Sequence, residues 1–189
     1  MDQVKIEQHF SLLMSEGLGL DLSDPNLKDT PKRVAKMYVN EFFSSLGKEF
    51  TDFKVFPNTK KYDEIILSDN IHFVSMCPHH FLPFTGLAWV LYIPRDWLIG
   101  ASKMARLVEH CASRPQLQED LGCEIMDVLE NRMDPIGSMI VMRATHGCMS
   151  CRGVRQHGKA GLTTSVIRGN FFKDSVKQEG LKLIELSLR

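Results

Sequence analysis

Cys77-Pro78-His79-His80 is followed far downstream by His146-Gly147-Cys148-Met149-Ser150-Cys151. Thiolate and imidazole are the donors zinc prefers, and both clusters fall where strand-like sequence gives way to a loop. Two metal sites can be built from them. If Cys77, His80, Cys148 and Cys151 all bind, the site is closed, tetrahedral and structural. If only three bind, the fourth position holds water, whose pKa zinc lowers from ~15.7 toward ~7, making hydroxide available at neutral pH. The competing reading is a set of buried unpaired thiols beside a core histidine. Adjacent residues of an extended chain point to opposite sides. His79 and His80 are therefore expected to differ in role, one binding metal and the other shuttling protons.

Three further groups carry charge that could serve chemistry. From Pro135 to Lys173 the chain has no Asp or Glu, yet it holds Arg143, Arg152, Arg155, Lys159, Arg168 and Lys173. In a protein with 23 basic and 23 acidic residues, that asymmetry points to a local anion site, against the plainer reading of a solvated strand face. Lys103 and Arg106 in Ser102-Lys103-Met104-Ala105-Arg106 are helical neighbours that suit an anion or simply face solvent. In Arg114-Pro115-Gln116-Leu117-Gln118-Glu119, Glu119 either favours a helix dipole or accepts two parallel hydrogen bonds from an N–H/NH₂ edge such as guanine's.

The elements that must hold these residues are legible from periodicity. Apolar spacing predicts a helix over 3–16, ended by Gly17, and a second from an N-cap at Thr30 with Pro31 next, running to Gly47. Strands are expected over 63–76 and 86–94, helices over 97–112 and 116–133, strands over 136–145 and 161–168, and a closing helix over 174–186. Strands paired around a helical pair make an α+β protein of antiparallel hairpins backed on one face by helices. Open hairpin edges on such a sheet invite closure by further copies of the chain.

Composition narrows the class. With 189 residues, 43% hydrophobic and 24% charged, the chain suits one globular domain. We expect an N-terminal helical part over 1–50 and a catalytic part over 51–189. Zero net charge argues against a general nucleic-acid binder. The charged N-terminus lacks a signal-peptide core, and no stretch suits a membrane helix, so a cytoplasmic protein is expected. Five cysteines, an odd number, argue against a disulfide framework; Cys111 and Cys123 fall in helical patterns and read as ordinary thiols.

Taken together and in order, Cys-x-His-His (77–80), Ser-Lys-x-x-Arg (102–106), Arg-Pro-Gln-x-Gln-Glu (114–119) and His-x-Cys-x-x-x-Arg-Gly (146–153) closely resemble GTP cyclohydrolase I. The likeness includes Asp29-Thr30-Pro31-Lys32-Arg33 and Tyr92-Ile93-Pro94, and runs from about Leu20 to Phe172. It implies the tunnelling fold, whose sheets close into a barrel between subunits, and a homodecamer of two stacked pentamers. It implies conversion of GTP and water to 7,8-dihydroneopterin triphosphate and formate. The steps implied are zinc-hydroxide attack on guanine C8, ring opening, Amadori rearrangement and reclosure. By motif position, Cys77, His80 and Cys148 match the zinc ligands, and His79 and His146 the acid/base histidines. Ser102 matches the ribose contact, Gln118 and Glu119 the guanine-recognition pair, and Lys103, Arg106, Arg152 and Arg33 the triphosphate contacts, Arg33 from another subunit. The chain departs from the pattern at Pro78, where the family has Glu, at Cys151, where it usually has no thiol, and in a short segment before Asp29.

Overall fold

The computed structural model describes residues 1–156 and 160–188. Helix α1 (Gln3–Leu12) starts where the Asp2 carboxylate accepts from Lys5 N–H at 3.1 Å, and it widens into one π turn over Leu13–Gly17. Helix α2 (Thr30–Met37) widens in the same way over Tyr38–Phe42. Its cap is Asp29 rather than Thr30: the Asp29 carbonyl accepts the first helical bond from Arg33 N–H, while its carboxylate pairs with the Arg33 side chain. The helix expected to reach Gly47 therefore ends its regular α turns at Met37.

The centre is an antiparallel sheet in the order β2-β3-β5-β6, built from Ile66–Met76, Pro83–Ile93, Gly137–His146 and Leu162–Gly169. Phe84 stands opposite His146 at one end of the central pair, and Ile93 opposite Gly137 at the other. Gly86 permits this pairing: a Cβ there would sit 2.0 Å from the Arg143 carbonyl oxygen. A bulge between Ser68 and Ile71, with Asn70 at φ 49°, bends the outer strand β2. Among the described residues, the outer edges of β2 and β6 carry no further strand.

One expected boundary moves. Trp97–Ile99 is not helical; it forms β4, which pairs with β1 (Val55–Pro57), a strand absent from the sequence reading. The apolar helical period begins only at Ala101, and Trp, Leu and Ile before it suit a pleated ribbon. Helix α3 (Ala101–Ala112) then runs back along the sheet, and α4 (Gln118–Met133) follows it.

These two helices bury Met104, Leu107, Val108, Cys111, Leu121, Ile125, Met126 and Leu129 against Ala88, Val90, Tyr92, Ile140 and Met142. Each such side chain contributes about 1.5–3 kcal/mol. An exposed pair such as Lys182–Glu185 contributes about 0.5 kcal/mol, so apolar burial decides where α3 and α4 sit. Cys111 belongs to this core, its thiol pushed up to about 12 by burial. The opposite face is covered too: Trp89, Leu91, Ile93 and Met139 pack with Phe171 and with Ile184 of α6 (Asp174–Ser187). The closing helix thus covers the second face, where the sequence reading placed helices on one face only. Among the described residues, no helix is long and apolar enough to cross a membrane.

Candidate active site and metal centre

Cys77 follows the last residue of β2, and the chain turns back at once. Phe81 N–H donates to Cys77 O at 3.0 Å, and Cys77 N–H to Leu82 O at 2.9 Å, with Phe81 at φ 51°. The reversal brings His80 back beside the Cys77 thiol. Across the hairpin, β5 ends at His146 and a single turn, α5 (Gly147–Ser150), begins. Gly147 lies so close to Pro83 that a Cβ would stand 2.9 Å from its carbonyl oxygen. That close approach sets Cys148 against the 77–82 reversal.

The ligand atoms of Cys77, His80 and Cys148 lie within 4.8 Å of one another. Two sulfurs on one tetrahedral zinc stand about 3.8 Å apart, so this donor set fits such an ion with small side-chain movements. Burial, and then the neighbouring Cys77, hold the Cys148 thiol above its ordinary pKa. Cys151 stands outside the cluster: its exposed Sγ donates to the Gly147 carbonyl at 2.7 Å. Arg152 Nη1 donates to His80 Nε2 at 2.8 Å. One lone pair serves that nitrogen, so an ion and Arg152 cannot both hold it. His79 is exposed, its Nδ1 4.0 Å from Cys77 Sγ.

His146 stacks flat on its cross-strand partner Phe84, centroids 4.6 Å apart and planes 1° from parallel. Its Nε2 lies 2.9 Å from Oε1 of Gln118. Gln118 is 1% exposed, and its Nε2 is within 3.3 Å of Met142 O, Leu162 O and Thr164 Oγ1. Those acceptors fix the amide, so the oxygen faces the histidine and His146 Nε2 must carry the hydrogen. The Nδ1 lone pair of His146 is then the one left for chemistry. Burial lowers the pKa of His146, partly opposed by the Glu119 carboxylate, and so favours the neutral ring. Glu119 itself is exposed on the first turn of α4, beside Gln118.

The remaining candidates lie elsewhere. Ser102, Lys103 and Arg106 occupy the first turns of α3. The far end of that helix meets the Cys77 side of the sheet, where Ser75 Oγ donates to Arg114 O at 3.0 Å. From Ser102 to Ser113 is about 16 Å along the helix axis. Lys103 and Arg106 both pair with Asp52. Arg33 pairs with Asp29 at 3.5 Å. Of the acid-free stretch, Arg168 faces Asp127 and Glu130 of α4, and Lys159 lies outside the described residues.

Three partners escaped the sequence reading. Phe84 is found from hairpin register, once Pro83 is known to start its strand. Thr164 requires the β5–β6 pairing. Asp52, fifty-odd residues before the basic pair in an unpatterned segment, leaves no sequence signal.

The chain matches the GTP cyclohydrolase I family over residues 6–185. It is 43% identical over 185 residues to GTP cyclohydrolase 1 of Hydrogenobaculum sp., covering 97% of this chain and 98% of that protein. The Lysinibacillus sphaericus GTP cyclohydrolase 1 is 41% identical over 189 residues, covering 99% and 98%. That of Aeromonas salmonicida is 45% identical over 170 residues, covering 89% of this chain and 77% of the other. Among solved structures, the apo archaeosine synthase QueF-Like aligns at 14% identity and a TM-score of 0.46, over 57% of this chain and 95% of that one.

Proposed function

We propose, because this chain belongs to the GTP cyclohydrolase I family, that its Cys77–His80–Cys148 cluster holds zinc for hydrolysis of GTP to 7,8-dihydroneopterin triphosphate and formate. The observation that carries this reading is the three-member donor cluster at the same end of the sheet as the His146–Gln118 pair. When bound, zinc supplies hydroxide near neutral pH by lowering the pKa of water.

Everything else falls to the chain. His146, its Nδ1 lone pair open, exchanges protons with the guanine ring nitrogens as the imidazole ring opens, and His79 serves as the second proton carrier. The Glu119 carboxylate accepts from the N1–H and 2-amino edge of guanine. Gln118 has its side chain engaged by the sheet, so towards guanine it offers its backbone N–H, at the start of a helix that has no side-chain cap. Arg152, released from His80, turns to the triphosphate.

Ser102 is assigned to the ribose during the Amadori rearrangement, and the ribose is bonded to guanine within one ring of C8. About 16 Å of helix within one chain is too far for that contact. Ser102, Lys103 and Arg106 therefore act on the site of a neighbouring copy, with Arg33 a further contact across the assembly. This, and the open edges of β2 and β6, support a closed oligomer, which we assign as a decamer of two pentamers. Within each copy, residues 1–50 form the helical part and 51–189 the catalytic part of one domain.

The decisive experiment incubates metal-analysed protein with GTP and assays formate together with the fluorescent oxidised pterin. Both products are expected, and a chelator abolishes both. Bound zinc with neither product would instead support a structural site. Replacing Cys151 by Ala adds a second check: zinc content and turnover stay at wild-type levels, whereas a closed four-ligand site would lose metal and thermal stability together.

Neighbours Gln118 and Glu119 should part company on substitution. Gln118→Leu strands buried acceptors, at about 1–3 kcal/mol, and lowers the melting temperature by about 3–10 °C. Glu119→Gln leaves melting within about 2 °C, since only a dipole contact changes, but raises the KM for GTP by about 10–100-fold through lost charged hydrogen bonds. Equal melting losses in the two variants would contradict these roles.

A further inference from the structure

The cation pair Lys103–Arg106 already has an anion. The Asp52 carboxylate accepts from Lys103 Nζ with one oxygen and from Arg106 Nη1 with the other, which holds its pKa below the usual carboxylate value. Lys103 is mostly covered, its side chain 16% exposed, whereas Asp52 is 46% exposed. The acid therefore sits over the lysine from the solvent side.

The segment bearing Asp52 does not depend on this pair for its position. Three residues on, Val55–Pro57 is zipped to Trp97–Ile99, and Gly100 N–H donates to Lys54 O at 3.0 Å. The strap is pinned by backbone bonds, and its carboxylate is free to be exchanged. The place it occupies suits an anion for a second reason. The first turn of α3, which carries Lys103, has a glycine N-cap, no capping side chain and no acidic residue, so the helix itself supplies no acid that competes with Asp52 there.

We propose that Asp52 is an internal competitor for the polyphosphate of the substrate: it occupies Lys103 and Arg106 in the free protein and is displaced when a polyphosphate binds. This rests on the reading that Lys103 and Arg106 hold the triphosphate. Asp52 thereby weakens substrate binding without touching the reacting atoms. It also keeps the two cations oriented and screens them from single phosphates, which bring too few contacts to displace it.

The test uses inorganic tripolyphosphate as probe, titrated calorimetrically at fixed ionic strength into the assembled protein. Asp52→Asn removes the charge at nearly constant shape and is expected to bind the probe about tenfold more tightly, the sum of two partly exposed pairs. Asp52→Glu, which keeps the charge, should return affinity towards wild type. In GTP turnover, Asp52→Asn lowers KM without raising kcat, a split that a merely structural role would not produce. Asp52→Ser should show the same direction, and guards against a variant that fails to fold. Lys103→Ala must weaken the probe in every background. If Lys103→Ala weakens binding while Asp52→Asn matches wild type or binds less tightly, competition is overturned and the polyphosphate reading stands. If Lys103→Ala has no effect, that reading falls, and the proposal with it.

Discussion

His146→Ala lowers GTP turnover by about 10²–10⁴-fold while zinc content stays at the wild-type level. The size follows from removing the proton carrier proposed above, whose ring is held on both sides. Phe84 fixes its plane by stacking at 4.6 Å, and Gln118 Oε1 fixes the hydrogen on Nε2. The ring is absent from the Cys77–His80–Cys148 cluster, so metal has no reason to leave. Folding should survive, because the lost stack and the lost hydrogen bond to Gln118 together are worth about 1–3 kcal/mol. Product formation by the variant at the wild-type rate, or zinc lost along with activity, would refute the assignment. Metal analysis beside a formate assay decides it.

Mixing two inactive variants should restore activity. Cys148→Ala removes a donor at one end of the sheet, and Lys103→Ala removes a cation at the start of α3. If each site takes its metal end from one copy and its basic residues from the next, a site works only where a Lys103→Ala copy supplies the metal end and a Cys148→Ala copy the cations. Random equimolar reassembly after dissociation then gives about a quarter of wild-type turnover. A site complete within one chain predicts no more than the average of the two parents. The contrast is large because both parents start near zero. Reassembly is confirmed by size and the recovered rate by the pterin assay.

What sequence could reveal depended on whether the physical signal was local. The pairing of thiols with imidazole at Cys77–His80 and Cys148 is a matter of donor chemistry and was legible at once. So were the amphipathic periods of α3 and α4, since helical burial repeats within a few residues. The arrangement of Cys151 was not, because a thiol three residues beyond Cys148 can turn either way, and only the backbone of α5 directs its Sγ to the Gly147 carbonyl. The 97–112 helix began too early because β4 exists only through a partner forty residues upstream. Gln118 shows the same limit. Its residue type suggests an exposed hydrogen-bonding role, while the carbonyls of Met142 and Leu162 that engage it arrive from strands the sequence cannot place beside it. The helix expected on one face only is likewise a long-range matter: α6 finds the second face through Phe171 and Ile184.

The two tryptophans of the chain lie in contrasting surroundings. Trp89, 5% exposed, is sealed beneath α6, whereas Trp97, 42% exposed, sits on the β1–β4 ribbon that carries Asp52's strap. Their emission therefore reports on different events. Trp89 is expected to fluoresce at short wavelength, to resist acrylamide and to change only when the sheet loses its cover. Trp97 is expected to emit further to the red and to be open to quencher, in the ribbon whose first strand continues from Asp52's strap. With Trp89→Phe in place, a polyphosphate titration can be followed optically through Trp97 alone, without label and without turnover.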